Sequence, residues 1–86
     1  MSEMHDNKSE LRNRIAAIVA NKLSIDQNTI TDKATLQELG ADSLDLVEII
    51  LRLEEEFDII IDDEKAADLD TFSQVVDYVQ KLYKKQ

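Results

Sequence analysis

Residues 42–57 read DSLDLVEIILRLEEEF and have the spacing of one continuous amphipathic helix. At 100° per residue, one side of this helix collects five large apolar residues: Leu46, Ile49, Ile50, Leu53 and Phe57. We predict a helix from about Ser43 to Phe57, with that side facing a core. Asp42 is placed to be its N-cap, and Asp45 lies in the first turn, where a carboxylate is favourable.

The same helix carries a second apolar stripe. Leu44, Val47 and Leu51 lie within roughly 60° of one another, away from the first side. Because a helix needs only one apolar face to fold onto a bundle, we predict that this stripe docks partner proteins. The alternative is a wider core face covered by neighbouring loops. With the bordering acids, the predicted docking residues are Leu44, Asp45, Val47, Glu48, Leu51, Glu54 and Glu55.

Three further helices are predicted around this one. The first should run from about Ser9, as its N-cap, to Leu23, after a flexible tail of residues 1–8. A short helix should occupy residues 62–69. The last should begin at Phe72, where Thr71 and Gln74 form a capping box, and end near residue 83.

The connection of residues 24–42 should be pinned to the core by four apolar anchors. These are Ile25, Ile30, Leu36 and Leu39. Gly40, the single glycine of the sequence, should end a helical turn there. Residues 59–61 are all isoleucine and have strand character, but no second strand is predicted to pair with them.

Composition agrees with an all-α fold, a small bundle of three main helices plus one short helix. The chain has 86 residues, of which 43% are hydrophobic, with one glycine, no proline and no cysteine. This size allows a single domain, residues 9–86, and leaves little chain for a large enzyme cleft. No apolar run approaches the ~18 residues of a membrane span, and the first residues lack a signal peptide's apolar stretch. We expect a soluble cytoplasmic protein, or the mature form in an organelle.

The negative charge is concentrated in one third of the sequence. Residues 38–70 hold thirteen acids and two bases, Arg52 and Lys65, whereas the whole chain has a net charge of −9. Such a segment repels nucleic acid and anionic membranes and attracts basic protein surfaces. The alternative interpretation is a solvated face that maintains solubility.

The sequence does not match the common catalytic and metal-binding motifs. The one histidine, His5, lies in the predicted tail, so a histidine-based acid–base or metal site is not expected. The serine-hydrolase elbow needs glycine two residues on either side of the serine, but Ala41 and Asp45 flank Ser43. A calcium loop starting at Asp26 lacks its required glycine and closing glutamate. We predict no catalytic residues and no specific metal site.

The stretch from Leu39 to Asp45, LGADSLD, resembles the signature of the acyl carrier proteins. The resemblance continues through Val47-Glu48, the LEEEF of residues 53–57 and Ile61, and ends in the DYV of residues 77–79. It covers nearly the whole chain from about Ser9. The Asp-Ser-Leu triplet alone is a weak signal, but within a match of this length it is specific.

The resemblance implies a function for Ser43. A phosphopantetheinyl transferase moves 4′-phosphopantetheine from coenzyme A onto the family's serine, and the arm's thiol then holds acyl groups as thioesters. Asp42 and Leu44 would flank that attachment site. The first turn of a helix favours a phosphate through its free N–H groups and its dipole. Asp42 and Asp45 oppose it, which suggests that the transferase supplies Mg²⁺ or basic residues.

The resemblance also implies cargo, partners and pathway. An acyl chain would be sheltered among the helices, and we predict the pocket walls to be Leu53, Ile61, Leu69, Val75 and Tyr78. The partners would be enzymes and acyltransferases of bacterial-type fatty acid synthesis that have basic docking surfaces, meeting a monomeric, stand-alone, non-enzymatic carrier. The alternatives are a carrier for a polyketide, aminoacyl or lipid A pathway, and a non-covalent acidic helical adaptor.

Two residues depart from the family pattern. Arg52 stands where the family often has a small residue. Because Glu48 and Glu56 lie four residues to either side of it, we predict that Arg52 stabilises the helix by pairing with them. Asp62 replaces a common proline before the short helix, and it can serve as that helix's N-cap.

Overall fold

The computed structural model describes residues 7–84, and within this range the chain is an all-helical bundle, as predicted. It contains α1 (Asn7–Leu23), α2 (Ser43–Phe57), α3 (Asp63–Ala67) and α4 (Phe72–Lys84). A short 3-10 helix, Gln27–Thr29, was not predicted from the sequence. The bounds of α2 are those predicted, and its capping explains why the sequence was sufficient there.

The predicted start of α1 is wrong by two residues. The helix begins at Asn7, so Ser9 lies inside the first turn and is not the N-cap. Residues 7 and 8 contain no helix breaker, and each residue added to an existing helix gains a backbone hydrogen bond for little further cost. The rest of the predicted tail, residues 1–6 with His5, lies outside the described residues.

The connection between α1 and α2 is held by its apolar anchors. Ile30 and Leu36 are buried, while Ile25 and Leu39 are half-buried against the same core. Asp26 caps the 3-10 helix by accepting a hydrogen bond from the Asn28 N–H. These contacts fix the path of a 19-residue stretch and bring its end, Asp42, to the start of α2.

Side-chain caps set the ends of the later helices. Asp62 caps α3, as predicted, but α3 ends at Ala67, two residues early, because Asp68 and Leu69 form tighter turn bonds to Lys65 and Ala66. At α4 the predicted capping box is present. The Thr71 N–H donates to Gln74 Oε1 at 3.0 Å, and the Gln74 N–H donates to Thr71 Oγ1 at 3.2 Å.

One core joins α1, α2 and α4. Its largest fully buried side chains are Phe57, Phe72, Ile15, Ile49, Leu53, Val19, Val75 and Val79. Arg14 of α1 clamps this core to α2, because its guanidinium lies 4.6 Å from the centre of the Phe57 ring and 2.8 Å from Glu56 Oε2. The hydrogen bond to Glu56 raises the pKa of Arg14 above its ordinary value, against a smaller lowering by burial. The Arg14 guanidinium therefore stays positively charged at neutral pH, and its ion pair with Glu56 is kept.

Candidate functional site

Ser43 is the first residue of α2, and its side chain is exposed. The two neighbouring acids form a capping box around it. The Asp45 N–H donates to Asp42 Oδ1 at 2.8 Å, and the Asp42 N–H donates to Asp45 Oδ2 at 3.2 Å. Both carboxylates thus accept hydrogen bonds from backbone N–H groups at the start of α2. These bonds fix the position of the first turn, and with it the position of Ser43.

The backbone at this helix start favours a phosphate. The amides of Ser43 and Leu44 belong to the first turn, so they have no partner within the helix. Together with the helix dipole they place partial positive charge beside the Ser43 hydroxyl. Asp42 and Asp45 oppose that charge, but their capping bonds direct part of their negative charge onto backbone N–H groups.

Beyond Ser43, the exposed side of α2 carries the predicted apolar stripe. Leu44, Val47 and Leu51 are 64%, 54% and 54% exposed, whereas Ile49 and Leu53 on the opposite side are 1% and 0% exposed. The alternative of a wider core face is excluded, because no neighbouring loop covers these three side chains in the described structure.

Three of the four acids that border the stripe form bonds within the fold, and the fourth is exposed. Glu48 forms an ion pair with Lys22 of α1, and Glu54 Oε2 accepts a hydrogen bond from the Ile61 N–H at 2.8 Å. Asp45 is in the capping box, whereas Glu55 is exposed at the surface. Most of the predicted docking acids therefore also hold the fold. The sequence indicated a role at the helix start for Asp45, but it did not indicate the partners of Glu48 and Glu54.

The prediction for Arg52 is wrong. Its two neighbours at four residues' distance are taken by α1, since Glu48 pairs with Lys22 and Glu56 pairs with Arg14. Arg52 is exposed and has no ion pair among the described side chains. Packing of α1 across α2 thus removes the partners that a lone helix would have offered.

A cavity of about 330 Å³ lies beside Ser43, between α2 and α3. Four of the five predicted pocket residues line it: Leu53, Ile61, Leu69 and Val75. Tyr78 does not line it, because it lies one turn further along α4 than Val75. Several further residues line the cavity, among them Leu46 and Ile50 of α2, which were not predicted from the sequence. Their place at the edge of α2's buried face was the available signal.

The phosphopantetheine attachment site family model matches residues 13–79 of the chain. An acyl carrier protein of Buchnera aphidicola subsp. Acyrthosiphon pisum (strain APS) is 47% identical over 72 residues, covering 83% of this chain and 90% of that protein. The chain belongs to the acyl carrier proteins. Another, from Thermosynechococcus vestitus, is 46% identical over 74 residues, covering 85% of this chain and 91% of the relative.

Solved structures of acyl carrier proteins have the same fold. The crystal structure from Thermotoga maritima superimposes with a TM-score of 0.83 at 26% identity, covering 96% of this chain and 98% of that one. The structure from Enterococcus faecalis gives a TM-score of 0.75 at 33% identity, covering 87% and 96%.

The resemblance seen in the sequence is therefore confirmed. This acyl carrier protein bears a phosphopantetheine arm and carries acyl groups without catalysing a reaction itself. The non-covalent adaptor is excluded as an alternative by the match to an attachment site.

The described residues contain neither a membrane-spanning helix nor a group of metal-binding side chains. No helix within residues 7–84 combines the length and the apolar character needed to cross a membrane. In the same part of the chain, no three acidic or histidine side chains are grouped so that they could hold a metal ion.

Proposed function

We propose that Ser43 is the residue that receives the phosphopantetheine arm, and that the acyl carrier protein uses it in fatty acid synthesis. The observation that carries this proposal is an exposed serine at the start of α2, beside an apolar cavity of about 330 Å³. A phosphodiester fits there because first-turn amides and the helix dipole favour it. The cavity offers an apolar space for the acyl chain that the arm would carry.

The chain's own residues prepare the loading step. The Ser43 oxygen attacks the phosphorus of coenzyme A next to the pantetheine, its proton passes to a base of the transferase, and adenosine 3′,5′-bisphosphate leaves. Asp42 fixes the position of Ser43 through the capping box, and the exposed Leu44 offers an apolar contact beside it. When bound, the arm supplies a thiol that holds acyl groups as thioesters.

Partner enzymes dock on the exposed side of α2. The stripe of Leu44, Val47 and Leu51 gives apolar contact area, and the acids around it attract basic surfaces toward Ser43. Asp45, Glu48, Glu54 and Glu55 are the docking acids of this proposal. Glu55 contributes most to steering, because the other three share their charge with partners inside the fold.

The cavity beside Ser43 shelters the acyl chain. Leu53, Ile61, Leu69 and Val75 form its walls, and Tyr78 remains outside the proposal. Burying each CH₂ group is worth roughly 0.8 kcal/mol before any cost of opening the bundle. The cargo is thereby kept from water until an enzyme withdraws it.

Membership of the family supports the cellular setting of this proposal. The carrier acts as a cytoplasmic monomer that meets a phosphopantetheinyl transferase, the enzymes of fatty acid synthesis and acyltransferases. A polyketide, aminoacyl or lipid A pathway remains the alternative. Mass analysis of the acyl groups on protein purified from its native cell decides between them, since fatty acyl chains of graded length support the proposal and any other cargo contradicts it.

Loading of Ser43 is tested by intact mass. The protein is incubated with coenzyme A, Mg²⁺ and a phosphopantetheinyl transferase, and wild type should gain one arm. Ser43→Ala should gain none, whereas Ser9→Ala, which alters another exposed serine in a helix's first turn, should load normally. An arm on the Ser43→Ala protein would place the attachment elsewhere.

Cavity occupancy is tested by comparing two loaded forms. A medium-length acyl group on Ser43 should raise the midpoint of thermal unfolding relative to the bare arm, because it buries apolar surface. Chemical shifts at Leu53, Ile61 and Val75 should change with it. If the two forms melt together and those shifts stay fixed, the cargo lies outside the bundle.

A further inference from the structure

A second depression lies on the other flank of the exposed stripe, between α1 and α2. It has a volume of about 400 Å³ and is open to solvent. Ala17 and Ile18 of α1 and Leu51 of α2 give it an apolar floor. Its remaining lining is polar or charged: Asn21, Lys22, Glu48, Arg52 and Glu55. Leu51 also lines the cavity beside Ser43, so the two depressions share one side chain.

The charges around this depression are not equivalent. Lys22 and Glu48 neutralise each other across it. Arg52 has no ion pair among the described side chains, because Glu56, its other neighbour along α2, is bound by Arg14. α2 therefore presents one unpaired guanidinium, next to an exposed apolar floor, inside the most acidic third of the sequence.

We propose that Arg52 is a specificity-determining residue, and that the partner enzymes of this carrier place a carboxylate over the groove between α1 and α2. This inference rests on the proposed docking of partners on α2. The matching surface has basic residues facing Glu55, an acid facing Arg52, and an apolar side chain that enters the groove over Ala17 and Ile18. A guanidinium suits this role because it binds a carboxylate through two parallel hydrogen bonds.

The alternative is that Arg52 merely relieves repulsion among the neighbouring acids. The two interpretations predict opposite changes in partner affinity when the positive charge of Arg52 is removed. Against a purely basic partner, removing a positive charge from the carrier strengthens attraction and tightens binding. Against a partner with an acid over Arg52, the same change leaves that acid desolvated without a partner, and binding weakens.

The experiment measures dissociation constants of the phosphopantetheine-loaded carrier with a condensing enzyme and a reductase of fatty acid synthesis from the same cell, at several salt concentrations. Arg52→Ala should weaken binding to at least one of them about five-fold or more, and Arg52→Glu should weaken it further. Lys65 provides the matched control, since it is the only other base in residues 38–70 and does not line the groove. Lys65→Ala should leave binding unchanged or tighten it. If both Arg52 variants bind every enzyme as tightly as wild type, or more tightly, the inference is wrong.

The apolar part of the groove has its own test. Ala17 is an exposed helix residue, so Ala17→Trp fills the groove without disturbing the core. It should weaken the same complexes, whereas Asn13→Trp, one turn earlier on α1 and outside the groove, should not. Equal affinities for the two tryptophan variants would show that partners do not enter the groove.

Failure of this inference is distinguishable from failure of the proposed docking. Leu51→Asp damages the stripe itself, so it should weaken every complex whatever the role of Arg52. If Leu51→Asp weakens binding and the Arg52 variants do not, only the specificity role falls. If Leu51→Asp also binds normally, the proposed docking on α2 falls with it.

Discussion

The two sides of α2 are made of the same kinds of residue and have opposite fates. Ile49, Leu53 and Phe57 are sealed in the core, while Leu44 and Val47, on the other side, remain open to water. Burial stabilises the fold by about 25 cal/mol per Å² of apolar surface, and the open side contributes little of this. Leaving apolar side chains exposed has no benefit to the monomer, and this supports the proposal that the open side binds partners.

The largest expected effect separates the two sides by mutation. Leu53→Ala removes buried methyl groups from the core and should cost about 2–5 kcal/mol of unfolding free energy. Leu51→Ala, the same change on the open side, should cost less than about 1 kcal/mol, because half of its surface already faces water. Denaturant unfolding of both variants measures the difference.

The rate of phosphopantetheine loading should depend on the two sides in the opposite way from stability. At equal folded concentration, Leu53→Ala should still accept phosphopantetheine at close to the wild-type rate, whereas Leu51→Asp should be slow because its docking stripe is broken. If Leu51→Asp unfolds the domain as badly as Leu53→Ala does, Leu51 belongs to the core and the two sides are not distinct.

A second comparison concerns two adjacent acids. Glu54 accepts a hydrogen bond from the Ile61 N–H and so holds the loop after α2, while Glu55 is exposed. Glu54→Ala should therefore cost about 1–2 kcal/mol, since a charge-assisted bond to a part-buried N–H is lost. Glu55→Ala should be neutral or slightly stabilising, because it removes one charge from a crowded segment. Thermal unfolding at low salt measures both.

Hydrogen exchange in the loop after α2 should show the same difference between Glu54 and Glu55. In Glu54→Ala the amide of Ile61 should exchange with solvent faster than in wild type, whereas Glu55→Ala should leave it protected. Equal stability and equal exchange in the two variants would mean that Glu54 does not hold the loop.

Sequence was sufficient where structure is set by neighbours along the chain. The bounds of α2 and its two sides follow from Asp42, from the capping residues and from helical periodicity, all of which are local. Four of the five residues predicted to wall an acyl pocket line the cavity beside Ser43, and that they hold an acyl chain stays a prediction. Tyr78 does not line it, because its place depends on how far the cavity extends along α4.

Sequence was insufficient where the answer depends on how helices cross. Local spacing assigned Glu48 and Glu56 to Arg52, but α1 lies across α2 and supplies Lys22 and Arg14 instead. The bond from Ile61 to Glu54 likewise depends on the path of a loop that no periodicity encodes. The first miss lies at contacts between segments far apart in sequence. The second lies at a contact across the loop that follows α2, and both change which charges remain available to partners.

The smallest expected effect concerns the acids beside the open stripe. Thirteen acids against two bases in residues 38–70 repel one another in a compact domain, and basic partners relieve that repulsion only while bound. Free Mg²⁺ or Ca²⁺ at millimolar concentration should act as a weak substitute. If its dissociation constant is also millimolar, the folded state gains about 0.5–1 kcal/mol, which is a rise of a few degrees in the unfolding midpoint.

The source of this cation effect can be located by removing one negative charge, at Glu55, and one positive charge, at Lys65. Glu55→Gln removes a charge that has no role in the fold, so it should raise the midpoint in the absence of Mg²⁺ and shrink the further rise that Mg²⁺ brings. Lys65→Gln, which adds to the repulsion instead, should enlarge that rise. An unfolding midpoint that ignores both divalent ions and monovalent salt in all three proteins would show that the acidic segment carries no electrostatic strain, and that the acids beside the stripe cost the free carrier nothing.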